Sequence, residues 1–463
     1  MSSRLARHLV WEPVEKPATR IALFSSAASA HGAGEPTGTE TLRVDTCLTP
    51  RETAIYLLHV GAEIEHMLMV QYLYAGFSLG GPHLNPEQNQ KAAAWRASIL
   101  KIAREEMAHL ATVQNLLTLV GGPITFDRED FPDPSELYPF SFELEKLTKR
   151  SVAKYVLAEA PDEATLERLK LTEELREIEA FLGGSLKAER IHRVGIVYNH
   201  IKQLFTLSFS GQDPEAPLQP FVPSCDISSD SLRFQVRPEE WGLDQADLLI
   251  KSVADRNAAT TAITAISTQG EGSSVDDLPS SHFGRFLEIY RNFPDDWSPS
   301  KPVARNPKLC ADDEGELITD PLARLWADLL NTRYRFLLML LTHSFHIEST
   351  VDGDTHSPRG LLISWAFGEM YHLRSISEIL MNLPLSLSTD EKRAGPPFLM
   401  PYSLILPAHE RNRWRGHRDL LESSNLAIET LLKHSPSDTH PYLQAFLASN
   451  ERAILQIAPL IGN

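Results

Sequence analysis

WRASILKIAREEMAHLATVQNLL, residues 95–117, reads at helical period, with Ile99, Ile102, Ala103, Glu106, His109, Leu110 and Val113 on one stripe. An acid and an imidazole therefore sit on the face that a core would claim. Burying a carboxylate without a partner costs several kcal/mol, and a bound cation is a common way to offset that cost. Glu106-Met107-Ala108-His109 has the Glu-x-x-His spacing that carboxylate-bridged two-metal sites use in helical bundles. A single such tetrapeptide also arises by chance on solvated helix faces, so its weight depends on the rest of the chain.

The preceding helix adds to it. Thr49-Pro50-Arg51-Glu52 is a helix start, with Thr49 as N-cap and Pro50 in the first turn, and the apolar run TAIYLLHVGAEIEHMLMVQYLYAGF continues it to about Phe77. Of the three polar residues in its middle, Glu63, Glu65 and His66, Glu65 shares a face with Leu58, Met69 and Tyr72 and is the better candidate for an inward carboxylate. Gly121-Gly122-Pro123 stops the second helix. Two neighbouring helices thus supply half of a bundle metal site.

Composition narrows the class. The chain has 463 residues, 42% of them hydrophobic, enough for a large core. Its 61 acids against 44 bases give a formal charge of −17 without a Lys/Arg cluster, which argues against nucleic acid or an anionic membrane as partner. Cys47, Cys225 and Cys310 are far apart and lack metal or disulfide spacing. With no signal-like run at the start and no stretch of eighteen apolar residues, a cytoplasmic location is expected. Glycine-rich dinucleotide motifs, P-loops and nucleophile elbows need a preceding strand, and the chain reads as nearly strandless.

EHMLMVQYLYA followed by REEMAHLATVQNLLTLVGGP resembles the ferritin-like domain of the iminophenyl-pyruvate dimer synthase family, which includes the violacein-pathway enzyme and chromopyrrolate synthases. SVAKYVLAEAPD (151–162), HRVGIVYNHI (192–201), ITAISTQGEG (263–272), SHFGRFLEI (281–289) and AGPPF (394–398) extend the resemblance in order over most of residues 50–460. It implies an all-α, ferritin-like helical bundle with long loop insertions and extra C-terminal helices. The expected division is a tail or covering segment over 1–45, a metal-binding bundle over 46–300, and helices packed on it over 301–463.

The resemblance carries Glu271 and His282 over as metal ligands beside Glu65, Glu106 and His109, and the helical pattern adds Tyr72 and Tyr198 as hydrogen-bond donors behind them. It also exposes a departure. The third bundle helix, expected over 192–207, has Asn199 where the family offers a Glu, and an amide oxygen binds a hard cation weakly. A second Glu-x-x-His, Glu369 to His372, lies in a helix expected over 359–382 and either compensates for Asn199 or forms a buried polar pair. The acids at 173–179 read as a solvated face, the 210–244 segment as an insertion loop over the site, 248–269 as a helix, and His343 and His346 as lining a wet helix end. Trp414, Leu420 and Leu421 read as packing.

Oxygen and nitrogen ligands without sulfur favour iron, one or two ions, with manganese as the alternative; zinc hydrolases usually show more imidazoles around an open position. Some family members are associated with haem, which keeps haem open as a cofactor. The expected function is a non-haem metal oxidoreductase using oxygen or peroxide on a small amine or imino-acid-derived substrate in natural-product biosynthesis. The alternatives are an oxidative imino-acid dimer synthase and a non-catalytic protein with a degenerate site. A homodimer is permitted but not required.

Overall fold

The structure is a computed structural model that describes residues 9–13, 40–44, 47–133, 140–183, 194–206, 221–241, 249–311, 314–349 and 357–462. Its centre is a helical hairpin. Thr49 caps α1 (Pro50–Ser78) by accepting from the Glu52 amide at 3.2 Å, and Asn85 and Gln88 form a reciprocal cap at the start of α2 (Pro86–Leu119). Arg51 near the start of α1 donates to Val120 O (2.8 Å) and Gly121 O (2.9 Å) beyond the end of α2, so the pair is antiparallel. α1 is buried nearly all round, as its uninterrupted apolar sequence requires, because helices flank it on several sides.

α6 (Val194–Phe205) packs on α1, and α7 (Arg256–Glu271) packs on both α6 and α2, closing a four-helix bundle. α3 (Lys149–Ala158) and α8 (His282–Arg291) pair with each other, and α8 also touches α2 and α7. The short α4 (Glu163–Leu169) leads into α5 (Thr172–Leu182), which covers α3, burying Leu175, Ile178 and Leu182 and leaving the acids between them outward, as expected of a solvated face. α7 begins later than the pattern suggests. Asp255 caps it through the Ala258 amide (2.8 Å), and residues 249–255 run irregularly along α2.

That irregular run is held by polar side chains of α2. Thr112 donates to Leu249 O (3.0 Å), while Asn115 donates to Val236 O (2.8 Å) and Lys251 O (2.9 Å). Residues 221–241 are therefore packed on the C-terminal half of α2 and do not lie over the Glu106 region; the rest of the expected insertion loop lies outside the described residues. The expected covering segment contains an antiparallel ladder of β1 (Leu9–Pro13) and β2 (Glu40–Val44), with β2 against α6; residues 14–39 lie outside the described residues. Two further two-stranded pairs, β3 (Pro307–Lys308) with β4 (Glu316–Leu317) and β5 (Pro384–Ser386) with β6 (Thr389–Arg393), brace the connections around the second layer.

The second layer is α9 (Pro321–Ser344), α10 (Pro358–Leu380), α11 (Glu410–His434) and α12 (His440–Ile461), joined to the bundle by one continuous apolar core. Here the second Glu-x-x-His resolves against a metal. Glu369 receives a two-armed ion pair from Arg333 of α9, one arm at 2.6 Å, and Arg333 also donates to Asn450 and Ser424. His372 stacks on Phe446 with ring centroids 3.7 Å apart. The spacing is that of Glu106 and His109, but the facing helix brings a guanidinium instead of a carboxylate. His343 corrects a second expectation. It is fully buried, bonded to His417 (2.9 Å) and Glu410 (2.9 Å), and only His346 is exposed. Trp414, Leu420 and Leu421 are packed in the core. No described helix is long and apolar enough to cross a membrane.

Because the Arg333–Glu369 pair is buried, truncating one partner strands the other charge. Glu369→Ala is expected to lower unfolding stability by about 3–5 kcal/mol in a denaturant titration while leaving the metal-binding behaviour of the bundle unchanged. A concurrent loss of metal binding would return Glu369 to the ligand set.

Candidate metal centre

Six helices converge on a small cavity inside the bundle, of about 20 Å³, lined by Glu65, Glu106, His109, Glu159, Glu271 and His282 among others. All of the five principal residues expected at the site line it. Glu159 is the sixth and was missed. It is the residue that ends α3, where it is buried, and its place in the apolar run VLAEAP was the available signal. Asn199 is not part of the centre. It is exposed, because α6 turns Gly195 and Tyr198 inward, so the expected loss of a ligand there does not arise. Glu369 and His372 belong to the second layer described above.

Glu106 is the hub. One of its oxygens lies 2.8 Å from His109 Nδ1 and the other 2.9 Å from His282 Nδ1. His109 Nδ1 is also 3.4 Å from Glu65, and His282 Nδ1 is 3.7 Å from Glu159. Both imidazoles thus turn Nδ1 inward. Their outer nitrogens face second partners: His109 Nε2–H donates to the Gln269 amide oxygen at 2.9 Å, and His282 Nε2 is 3.2 Å from Glu105, which Arg285 also holds. The outer carboxylates are backed by phenols. Tyr198 donates to Glu65, and Tyr72 donates to Glu159 at 2.6 Å. Glu63 lies on a different face of α1, where it accepts from the Glu129 amide at 3.1 Å.

Local sequence explains the positions. Ser281 caps α8 through the Gly284 amide (3.0 Å) and so fixes His282 as its first residue. Gly272, at φ +76°, ends α7 immediately after Glu271, a conformation L side chains rarely adopt. Gly195 on α6 is needed for space: a Cβ there would overlap the Glu271 carboxylate.

The electrostatics follow from burial. His109 is pushed up to about 10: burial opposes its charge, but Glu65 and Glu106 outweigh it. His282 moves the same way, burial again opposing, for the sake of Glu106, Glu105 and Glu159. Glu106 is held below the usual carboxylate range, since the two imidazoles outweigh its burial, while burial and the neighbouring Glu106 push Glu65 up. Even so, hydrogen bonding is incomplete. Among the described residues, Glu65 Oε2, Glu106 Oε1 and His282 Nδ1 are buried without a hydrogen bond. Close approach without hydrogen-bond alignment, in a cavity with room for about one water-sized species, fits a cation bound to these atoms. Glu106, His109 and His282 offer ligand atoms within 4.8 Å of one another. A set of oxygen donors and two imidazoles suits iron or manganese.

A protein-family model described as Ferritin-like matches residues 58–291, which contain all six acids and imidazoles that line the cavity. The chain is 28% identical over 395 residues to dichlorochromopyrrolate synthase of Lentzea aerocolonigenes, taking in 77% of this chain and 36% of that protein. It is 24% identical over 381 residues to 2-imino-3-(indol-3-yl)propanoate dimerase of Chromobacterium violaceum, taking in 74% of this chain and 33% of that protein. The chain therefore spans about a third of the length of these curated relatives. A crystal structure of a ferritin like protein from Caulobacter vibrioides aligns with 70% of this chain and 96% of its own, at 17% identity and a TM-score of 0.39.

Gly195→Ala tests the packing of the centre. Its methyl group should displace Glu271 and weaken metal binding by about tenfold or more, with helical content unchanged by circular dichroism. Unaltered affinity would remove Glu271 from the donor set.

Proposed function

The chain belongs to the ferritin-like family, and on that premise we propose that it is an iron- or manganese-dependent oxidoreductase acting with oxygen or peroxide on a small amine or imino-acid-derived substrate. The observation that carries this reading is Glu106 between two inward imidazoles, with buried donor atoms left unsatisfied around it. In it, Glu106, His109 and His282 would hold the metal, with Glu65, Glu159 and Glu271 as further carboxylates around them. A metal held there supplies redox capacity and Lewis acidity. The chain's own residues do the rest. Tyr198 and Tyr72 orient Glu65 and Glu159, Gln269 sets the His109 tautomer by accepting from Nε2–H, and the apolar bundle keeps bulk water from the carboxylates.

A second reading, oxidative dimerisation of an aromatic imino acid, is favoured by the two relatives, which are named as a synthase and an imino-acid dimerase. It concerns only the part of those proteins that this chain spans. The reading of a degenerate centre rested on Asn199, which faces solvent, and loses its support.

Metal analysis of protein purified without chelator should find near-stoichiometric iron or manganese, and Glu106→Ala or His109→Ala should lower affinity by about a hundredfold or more and abolish oxygen consumption. Wild-type protein that stays metal-free after anaerobic loading overturns the proposal. The acid–base behaviour adds a second check. Without metal, Glu65 and Glu106 hold His109 protonated up to about pH 10, so a cation must displace that proton and affinity must rise with pH. Calorimetry in two buffers of different ionisation enthalpy should register about one to two protons released per metal-loading event; none released would contradict the assigned imidazoles.

A further inference from the structure

A second hollow adjoins the centre and has a different character. The inner cavity, at about 20 Å³, has no room for an organic molecule, whereas an open cleft of about 660 Å³ lies between α2, α6 and α7. Small-molecule sites usually fall between about 300 and 1,000 Å³. The cleft's floor includes Gln269 and Glu105, the same two side chains that meet the outer nitrogens of His109 and His282. A molecule in the cleft would therefore be one side chain away from the ring of donors.

The charges around the cleft point to an anion. Lys101 from α2 and Lys202 from α6 line it, and Lys202 has no carboxylate partner among the described residues. Both acids of the cleft have hydrogen-bond partners outside it. Glu105 is held by Arg285 and His282, with Lys101 at 4.0 Å, and Asp277 accepts from the Ser273 and Ser274 hydroxyls, each at 2.7 Å. Along α7, Thr260 and Thr264 donate their hydroxyls to helix carbonyls at 2.9 and 2.8 Å. They therefore present methyl groups and lone pairs to the cleft and do not compete with the lysines for an anion. Leu249 and Ala265 add apolar wall.

We propose that this cleft binds a small organic carboxylate, with Lys101 and Lys202 meeting its charge and its body outside the ring of metal donors. The assignment deepens the function proposed above and rests on it for the reaction, while binding itself needs only the cleft.

The probes are indole-3-propionate and its uncharged counterpart indole-3-propionamide, titrated by calorimetry into the full metal-loaded chain. The acid should bind at least about tenfold more tightly than the amide, and the Lys101→Met/Lys202→Met double variant should lose that preference at unchanged metal content. Thr264→Glu, at an exposed position in the same cleft, should weaken the acid and spare the amide, and it keeps the test decisive if the double variant does not fold. Glu106→Ala should still bind the acid. Equal binding of acid and amide, no binding of either, or an undiminished preference in the lysine and threonine variants overturns the assignment, as does loss of acid binding in Glu106→Ala, which would put the carboxylate on the metal. A wild-type chain that takes no metal yet retains the preference would instead overturn the function proposed above and leave the cleft standing.

Discussion

Charge removed from water has to be answered by other charge, and in this molecule that requirement is concentrated at Glu106. Its two oxygens each face an imidazole, and those imidazoles in turn face Glu65 and Glu159. The residues come from α1, α2, the end of α3 and α8, so the same small group of charges ties together helices that lie far apart in the chain. Any displacement of one helix would leave a carboxylate or imidazolium unpaired in an apolar interior, at a cost of several kcal/mol. The phenols of Tyr72 and Tyr198 extend the same constraint one layer outward.

The second layer shows that a ligand-like tetrapeptide acquires its meaning from what faces it. Glu106–His109 and Glu369–His372 have identical spacing and both acids are buried. Around Glu106 the neighbouring helices present acids and an imidazole, leaving inward donor atoms without hydrogen bonds; around Glu369 they present Arg333, which saturates the carboxylate on both oxygens. The first arrangement leaves donor atoms open to a cation, as proposed above, and the second already contains a guanidinium.

The two nitrogens of each histidine divide inside from outside. Both Nδ1 atoms point to the carboxylates, and both Nε2 atoms meet Gln269 or Glu105, which form part of the wall of the open cleft. The inner space admits a species of atomic or diatomic size, and the outer space admits an organic one. The imidazoles are the boundary between them, which gives the proposed substrate a route to influence the centre without entering it.

Much of this was written into local sequence. Helical period located α1, α2, α9 and α10, with a cap at the start of α1 and a stop after α2, and the place of a polar residue on an apolar stripe singled out Glu65, Glu106 and His109, because helical geometry alone decides which side chains share a face. Glu271 and His282 needed the resemblance to a known family, since a Gly-Glu-Gly turn and a capped helix start have many uses. Only the tertiary structure decided the rest: that Glu159 reaches the cavity, that Asn199 faces solvent, that Glu369 meets an arginine, and that Gly195 is small to admit Glu271. Which charge lies opposite which is a property of helices packed far apart in the chain, and one helix's sequence carries no record of its neighbour's face.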